Sequence, residues 1–132
     1  MDEDLDGRAR RTLDAGARRI TEADLERIFE KQAEIEKKFA ADGPLGRFVA
    51  DVKLLISMVR DYGSGSYRQV PWLTIASVAA TLLYVINPAD LIPDVVPVLG
   101  LLDDVAIVAL CLSMIERELL AYKEWKIAQV KA

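Results

Sequence analysis

Residues 71–86 read Pro-Trp-Leu-Thr-Ile-Ala-Ser-Val-Ala-Ala-Thr-Leu-Leu-Tyr-Val-Ile. Proline suits the first turn of a helix, where its missing N–H would be unpaired anyway. After it the run holds no charged side chain, and apolar or small residues cover every side. A helix apolar all round is buried either in protein or in lipid. Ala76 and Ala80, like Ser77 and Thr81, are small residues four apart, which let a neighbouring helix approach closely. The run is sixteen residues, about 24 Å of helix, against the roughly 20 residues needed to cross a bilayer.

Asn87-Pro88 breaks the run, and Pro93, Pro97 and Gly100 limit regular structure beyond it. Another helix is predicted from near Asp103. In it Val105, Val108, Leu112, Ile115, Leu119 and Tyr122 alternate steps of three and four, and the segment from Glu116 to Lys126 turns charged. These two runs form the expected apolar hairpin. At its bend stand Asp90, Asp94, Asp103 and Asp104, with no basic residue between positions 72 and 115. A carboxylate in an apolar setting must be hydrogen-bonded, paired or metal-bound. Asn87 with Pro88 and Asp90 fits a capped turn, and Asp103 and Asp104 sit where free N–H groups and the helix dipole favour negative charge. The competing reading makes the four aspartates an oxygen-rich site for Mg²⁺, Mn²⁺ or Ca²⁺, although their spacing matches no EF-hand. Arg60, Lys53 and Arg68 are the candidate partners for the remaining charge.

Upstream, Leu45, Phe48, Val49, Val52, Leu55, Ile56 and Val59 mark an amphipathic helix, followed by Tyr62-Gly63-Ser64-Gly65-Ser66, read as a flexible hinge. Thr21 and Asp24 form a capping-box signature for a helix running to about residue 40, with Leu25, Ile28, Ile35 and Phe39 in a narrow stripe that includes Gln32. Gly43-Pro44 stops it. Residues 5–20 give a weak pattern, Leu5, Ala9, Leu13 and Ile20, interrupted by Gly16. They are expected to form a frayed or peripheral helix. The fold class is therefore all-α, a small bundle of four to five helices around the apolar hairpin. Residues 1–20 are read as a peripheral helix or tail, 21–128 as the domain, and 129–132 as a tail.

Composition excludes several functions. Histidine is absent, which removes Ser–His and Cys–His machinery, and the single Cys111 cannot form an internal disulfide. A net charge of −4 argues against an electrostatic nucleic-acid binder. The acidic start MDEDLDG is not a secretory signal. Basic residues flank the hairpin on both outer sides (Arg60, Arg68; Arg117, Lys123, Lys126), the positive-inside pattern of a hairpin entering from the cytoplasm. Tyr62, Tyr67, Trp72, Tyr84, Tyr122 and Trp125 edge the apolar runs, as membrane-interface or core-edge aromatics do.

The string Leu82-Leu83-Tyr84-Val85-Ile86-Asn87-Pro88-Ala89-Asp90-Leu91-Ile92-Pro93-Asp94, then Pro97-Val98-Leu99-Gly100 and Leu102-Asp103-Asp104, resembles the YkvA-like domain family, a bacterial family of unknown function. The pattern covers roughly residues 70–110. Asp61-Tyr62 and Tyr67-Arg68-Gln69-Val70-Pro71-Trp72 are similar to the longer members. Relatives of the domain occur in the membrane part of an animal RING-type ubiquitin ligase of the endoplasmic reticulum, and members are often labelled multi-pass membrane proteins. The resemblance implies membrane association, and with the charge pattern the expected location is the cytoplasmic side of a bacterial inner membrane, the alternative being the cytoplasm. It supplies no activity, substrate or cofactor, and gives the four motif aspartates no established role. The expected function is thus a non-enzymatic, membrane-associated helical scaffold or interaction module. It would meet a protein partner or a second copy of itself, and no nucleic acid. The alternatives are a carboxylate-based divalent-metal protein, perhaps hydrolytic, and a soluble helical oligomer.

Overall fold

The computed structural model describes residues 2–40, 42–86 and 104–131. Among them are six α-helices and no strand: α1 (Asp2–Ala17), α2 (Glu22–Glu30), α3 (Gln32–Lys38), α4 (Val49–Ser64), α5 (Trp72–Ile86) and α6 (Asp104–Lys131). A short 3₁₀ turn, Gly46–Phe48, leads into α4. The all-α bundle expected from sequence is the observed fold.

The uncharged run became α5, and protein surrounds it. Every residue from Thr74 to Val85 is buried, and α1, α2, α3, α4 and α6 all pack against this helix. Its hydroxyls turn back on their own helix. Ser77 Oγ donates to the Leu73 carbonyl and Thr81 Oγ1 to the Ser77 carbonyl, both at 2.9 Å. Bonding the carbonyl four residues back satisfies a hydroxyl in apolar surroundings without a partner helix. Among the described residues no helix is long and apolar enough to cross a membrane.

Three expectations change. Residues 2–17 form a regular helix whose Ala9, Leu13 and Ala17 are fully buried, rather than a frayed or peripheral one. Gly16, which seemed to spoil the pattern, is itself buried. Ala9, Leu13, Gly16 and Ala17 share one face, and their small size lets α1 lie along the alanine-rich α5. Their low hydrophobicity hid a stripe whose value is close approach.

The single helix expected over residues 21–40 bends at Lys31, where φ −103° and ψ 13° leave the helical range. A seven-residue apolar repeat drifts around a straight helix. The bend keeps Leu25 and Ile28 of α2, and Ile35 of α3 with the following Phe39, inside the same core. It also leaves Gln32 at the rim, where it accepts a hydrogen bond from Arg60 of α4. The capping box holds: the Thr21 N–H donates to the Asp24 carboxylate at 2.8 Å.

The segment read as a flexible hinge is mostly helix. α4 continues to Ser64 and ends on Gly65 at φ +87°, the left-handed conformation that glycine adopts at a helix end. The chain then folds back so that Tyr67 is buried. At the other terminus, the helix α6 runs to Lys131 through the residues read as a tail.

Candidate functional site

α5 and α6 form the expected hairpin, and three contacts give its direction. Thr74 Oγ1 donates to Glu118 at 3.3 Å, Cys111 Sγ lies 3.9 Å from the Ser77 carbonyl, and the charge of Asp104 acts on Tyr84. As numbers rise along α5 they fall along α6, so the helices are antiparallel. Burial drives the Cys111 thiol up to about 11, only partly offset by a hydrogen bond with Thr81. A thiol so placed is an inert core group rather than a nucleophile.

The open end of the hairpin carries the densest polar arrangement among the described residues. Asp61, in the last turns of α4, accepts the Tyr122 hydroxyl at 2.6 Å and Lys126 Nζ at 2.9 Å, both on Oδ2. Ser57 Oγ lies 2.5 Å from the Tyr122 oxygen. The phenol has one proton and gives it to Asp61, so Ser57 is the donor to Tyr122. The Asp61 backbone carbonyl accepts the Tyr67 N–H at 3.0 Å and the Ser64 hydroxyl at 3.1 Å. Around this lock three rings meet: Tyr67 lies edge-on to Tyr122 at 5.0 Å and tilted against Trp125 at 4.9 Å, and Trp125 stacks on Tyr122 at 5.8 Å.

The protonation states follow from the surroundings. Burial opposes ionisation of Asp61, yet hydrogen bonds from Tyr122 and Lys126 and the charges of Lys126 and Arg60 outweigh it and hold the carboxyl below its ordinary 3.8. Burial, reinforced by the bond to Asp61, lifts the Tyr122 phenol far above its usual range. Neither group titrates near neutrality, where general acid–base work is done. The arrangement fastens α4 to α6. A depressed carboxyl contributes fully above the ordinary carboxylate range and fades as pH falls toward its folded value. Acidification from about pH 5 to about pH 3 should therefore reduce stability more steeply in the native chain than in Asp61→Asn, as read by urea midpoints across that range.

At the other end of the hairpin one of the four aspartates, Asp104, lies among the described residues. Asp104 is the first residue of α6, the position where the dipole favours a carboxylate. Asp90, Asp94 and Asp103 lie outside the described residues. Among the described residues no group of three or more carboxylates, cysteines or histidines is placed to hold a metal ion.

Residues 74–110 match a family described as a protein of unknown function, DUF1232. The chain is also 33% identical over 79 residues to the "Uncharacterized membrane protein YkvA" of Bacillus subtilis (strain 168), an alignment covering 60% of this chain and 74% of that protein. It belongs to the YkvA-like family. No solved structure matches it. In this YkvA-like chain the matched segment runs from α5 into the first turns of α6. Ser57, Asp61, Tyr67, Tyr122 and Lys126, which lock the open end, all lie outside it.

Sequence reasoning met Asp61 in the YkvA-like resemblance, and Tyr67 there and among the aromatics edging the apolar runs, but missed the lock they form. The available signal was Tyr122, the last member of the α6 apolar row, placed where that helix turns charged. Arg60 and Arg68, candidate partners for the bend aspartates, stand far from Asp104, the one of the four among the described residues. Arg60 stacks over Phe29 at 5.1 Å, and Arg68 stacks over Tyr62 at 4.5 Å. Tyr62 in turn touches Trp72 at the start of α5. That end of the YkvA-like hairpin is about 18 Å of helix away from Tyr84 and Asp104. The cations lining the cleft beside Ile86, at the α5 terminus nearer the bend, are Lys37 and Lys38 of α3.

Proposed function

We propose that this YkvA-like protein is a non-enzymatic helical scaffold held at the cytoplasmic side of a bacterial inner membrane, its charged outer helices facing a protein partner. The observation that carries the reading is the distribution of charge along the hairpin. From residue 72 to residue 115 there is no basic side chain, while Arg60, Arg68, Arg117, Lys123 and Lys126 flank the run. Membrane hairpins that enter and leave on the cytoplasmic side carry this pattern. The similarity to a bacterial protein named as a membrane protein supports the same reading.

The manner of attachment follows from burial. α5 is covered by protein on every side and spans about 22 Å, so it has no face left for lipid. Lys37 and Lys38 beside Ile86 suit contact with anionic headgroups. A shallow attachment at the bend end is thus favoured over two crossings. The test is cell fractionation with and without a high-salt wash. The full chain is expected in the membrane fraction, with partial release by salt. A monodisperse protein recovered from the cytosolic fraction without detergent would refute the proposal.

A further inference from the structure

The exposed large apolar residues among those described, Leu120, Ile127 and Val130, all lie on α6 and are 56%, 46% and 80% exposed. They belong to a second stripe, separate from the buried row that faces α4 and α5. Its central members Ser113, Leu120 and Ile127 stand seven residues apart, with Ala109 and Val130 edging the same side. A seven-residue spacing keeps such a row facing a partner helix when two helices coil around each other. The stripe has two unlike halves. Its first half borders an open groove of about 500 Å³, lined by Phe48, Leu54, Ala109, Leu112 and Leu119 among others. Its second half is a row of projections, and residues 127–131 are exposed throughout, past the Lys126–Asp61 lock.

We propose that α6 pairs with α6 of a second copy of this chain, antiparallel about a twofold axis near Leu120. Two features select this occupant. The first is shape. Antiparallel pairing about Leu120 brings Ile127 and Val130 of each copy over Ser113 and the Ala109–Leu112 groove of the other. Parallel pairing would set groove against groove and leave both unfilled.

The second feature is charge. In an antiparallel pair related by a twofold axis, each flank of the seam meets the same flank of its partner. Glu116 and Lys123 lie on one flank, four residues before Leu120 and three after it. Arg117 and Glu124 lie on the other flank, three before and four after. All four are exposed. Each flank therefore sets an acid against a base of the second copy, with an axial offset of about 1.5 Å. Four cross-chain ion pairs result, and no like charges meet on either flank.

Sedimentation of the purified full chain is expected to give twice the chain mass at tens of micromolar. Leu120→Glu with Ile127→Glu should give a monomer that still melts cooperatively, because these side chains are exposed within one copy, at a temperature that no longer rises with protein concentration. Glu116→Lys should weaken the dimer at least tenfold, and Glu116→Lys with Lys123→Glu should restore it. Register is read with single cysteines, since native Cys111 is buried and silent. Leu120→Cys should cross-link to itself readily. Ile127→Cys should not, because its two copies would stand about 21 Å apart along the seam. A monomeric native chain would overturn the proposal, and so would efficient self-linking at position 127. Loss of binding to anionic vesicles by the glutamate variant of a monomeric protein would assign the stripe to lipid instead, and would equally overturn it.

Discussion

Replacing Tyr122 with alanine is expected to destabilise the fold by about 4 kcal/mol, the middle of the range for truncating a buried aromatic residue. Tyr122 is fully buried, and three losses coincide when it goes. A ring-sized cavity opens between α4 and α6, and the contacts with Tyr67 and Trp125 disappear. Ser57 and Asp61 lose their shared partner, leaving Lys126 and the charge of Arg60 to balance a half-buried carboxylate. Tyr122→Phe separates these contributions. It keeps the ring and removes the hydroxyl, so it should cost less, about 1.5–3 kcal/mol, the net worth of a hydrogen bond to a charged group. Urea unfolding of both variants checks the claim. Equal losses in the two would mean that the hydrogen bonds, rather than packing, dominate the lock. A loss below about 1 kcal/mol in the alanine variant would mean that the open end of the hairpin is not fastened as described.

Leu13→Ala carries the second large expectation, a loss of about 3 kcal/mol and roughly 10 °C in Tm. A residue on a peripheral helix would cost within about 0.5 kcal/mol. The larger figure follows because Leu13 is fully exposed to core and not to water: its relative exposure is 0%, in the same cluster as α5. Removing residues 1–17 should go further and uncover the face of α5 that α1 seals, giving a chain that aggregates rather than a smaller stable bundle. Thermal melts of Leu13→Ala, with light scattering of the truncated chain, decide the matter. A truncated protein that stays monodisperse and melts cooperatively near the native temperature would contradict the placement of α1.

Much of this architecture was legible in the order of residues. Period and punctuation are local properties, and they located α4 through the Leu45–Val59 pattern, α5 through Pro71 and the uncharged run, and α6 through its row to Tyr122. The Thr21–Asp24 box was equally local and equally visible. What failed to show was of another kind. The burial of α1, expected only as a frayed or peripheral helix, escaped notice because Ala9, Gly16 and Ala17 contribute little hydrophobicity, and their smallness has meaning only beside another helix of small residues. The bend at Lys31 has no breaker residue to announce it, since it answers to a core assembled from other helices. The Asp61–Tyr122–Lys126 lock joins positions more than sixty residues apart, a relation no spacing rule contains.

The sequence by itself determined that this protein is helical, that its centre is an apolar hairpin with no basic residue from 72 to 115, and that its cations flank that stretch. It also carried the family membership, since the motif string is a matter of residue identity alone. Only the tertiary structure decided what covers the hairpin. A helix apolar on all sides is the same object in lipid and in a protein core. The choice between them is made by whether neighbours arrive to exclude water, and here five helices do so around α5. The same assembly settled which side chains are paired across the open end and which apolar stripe of α6 remains uncovered.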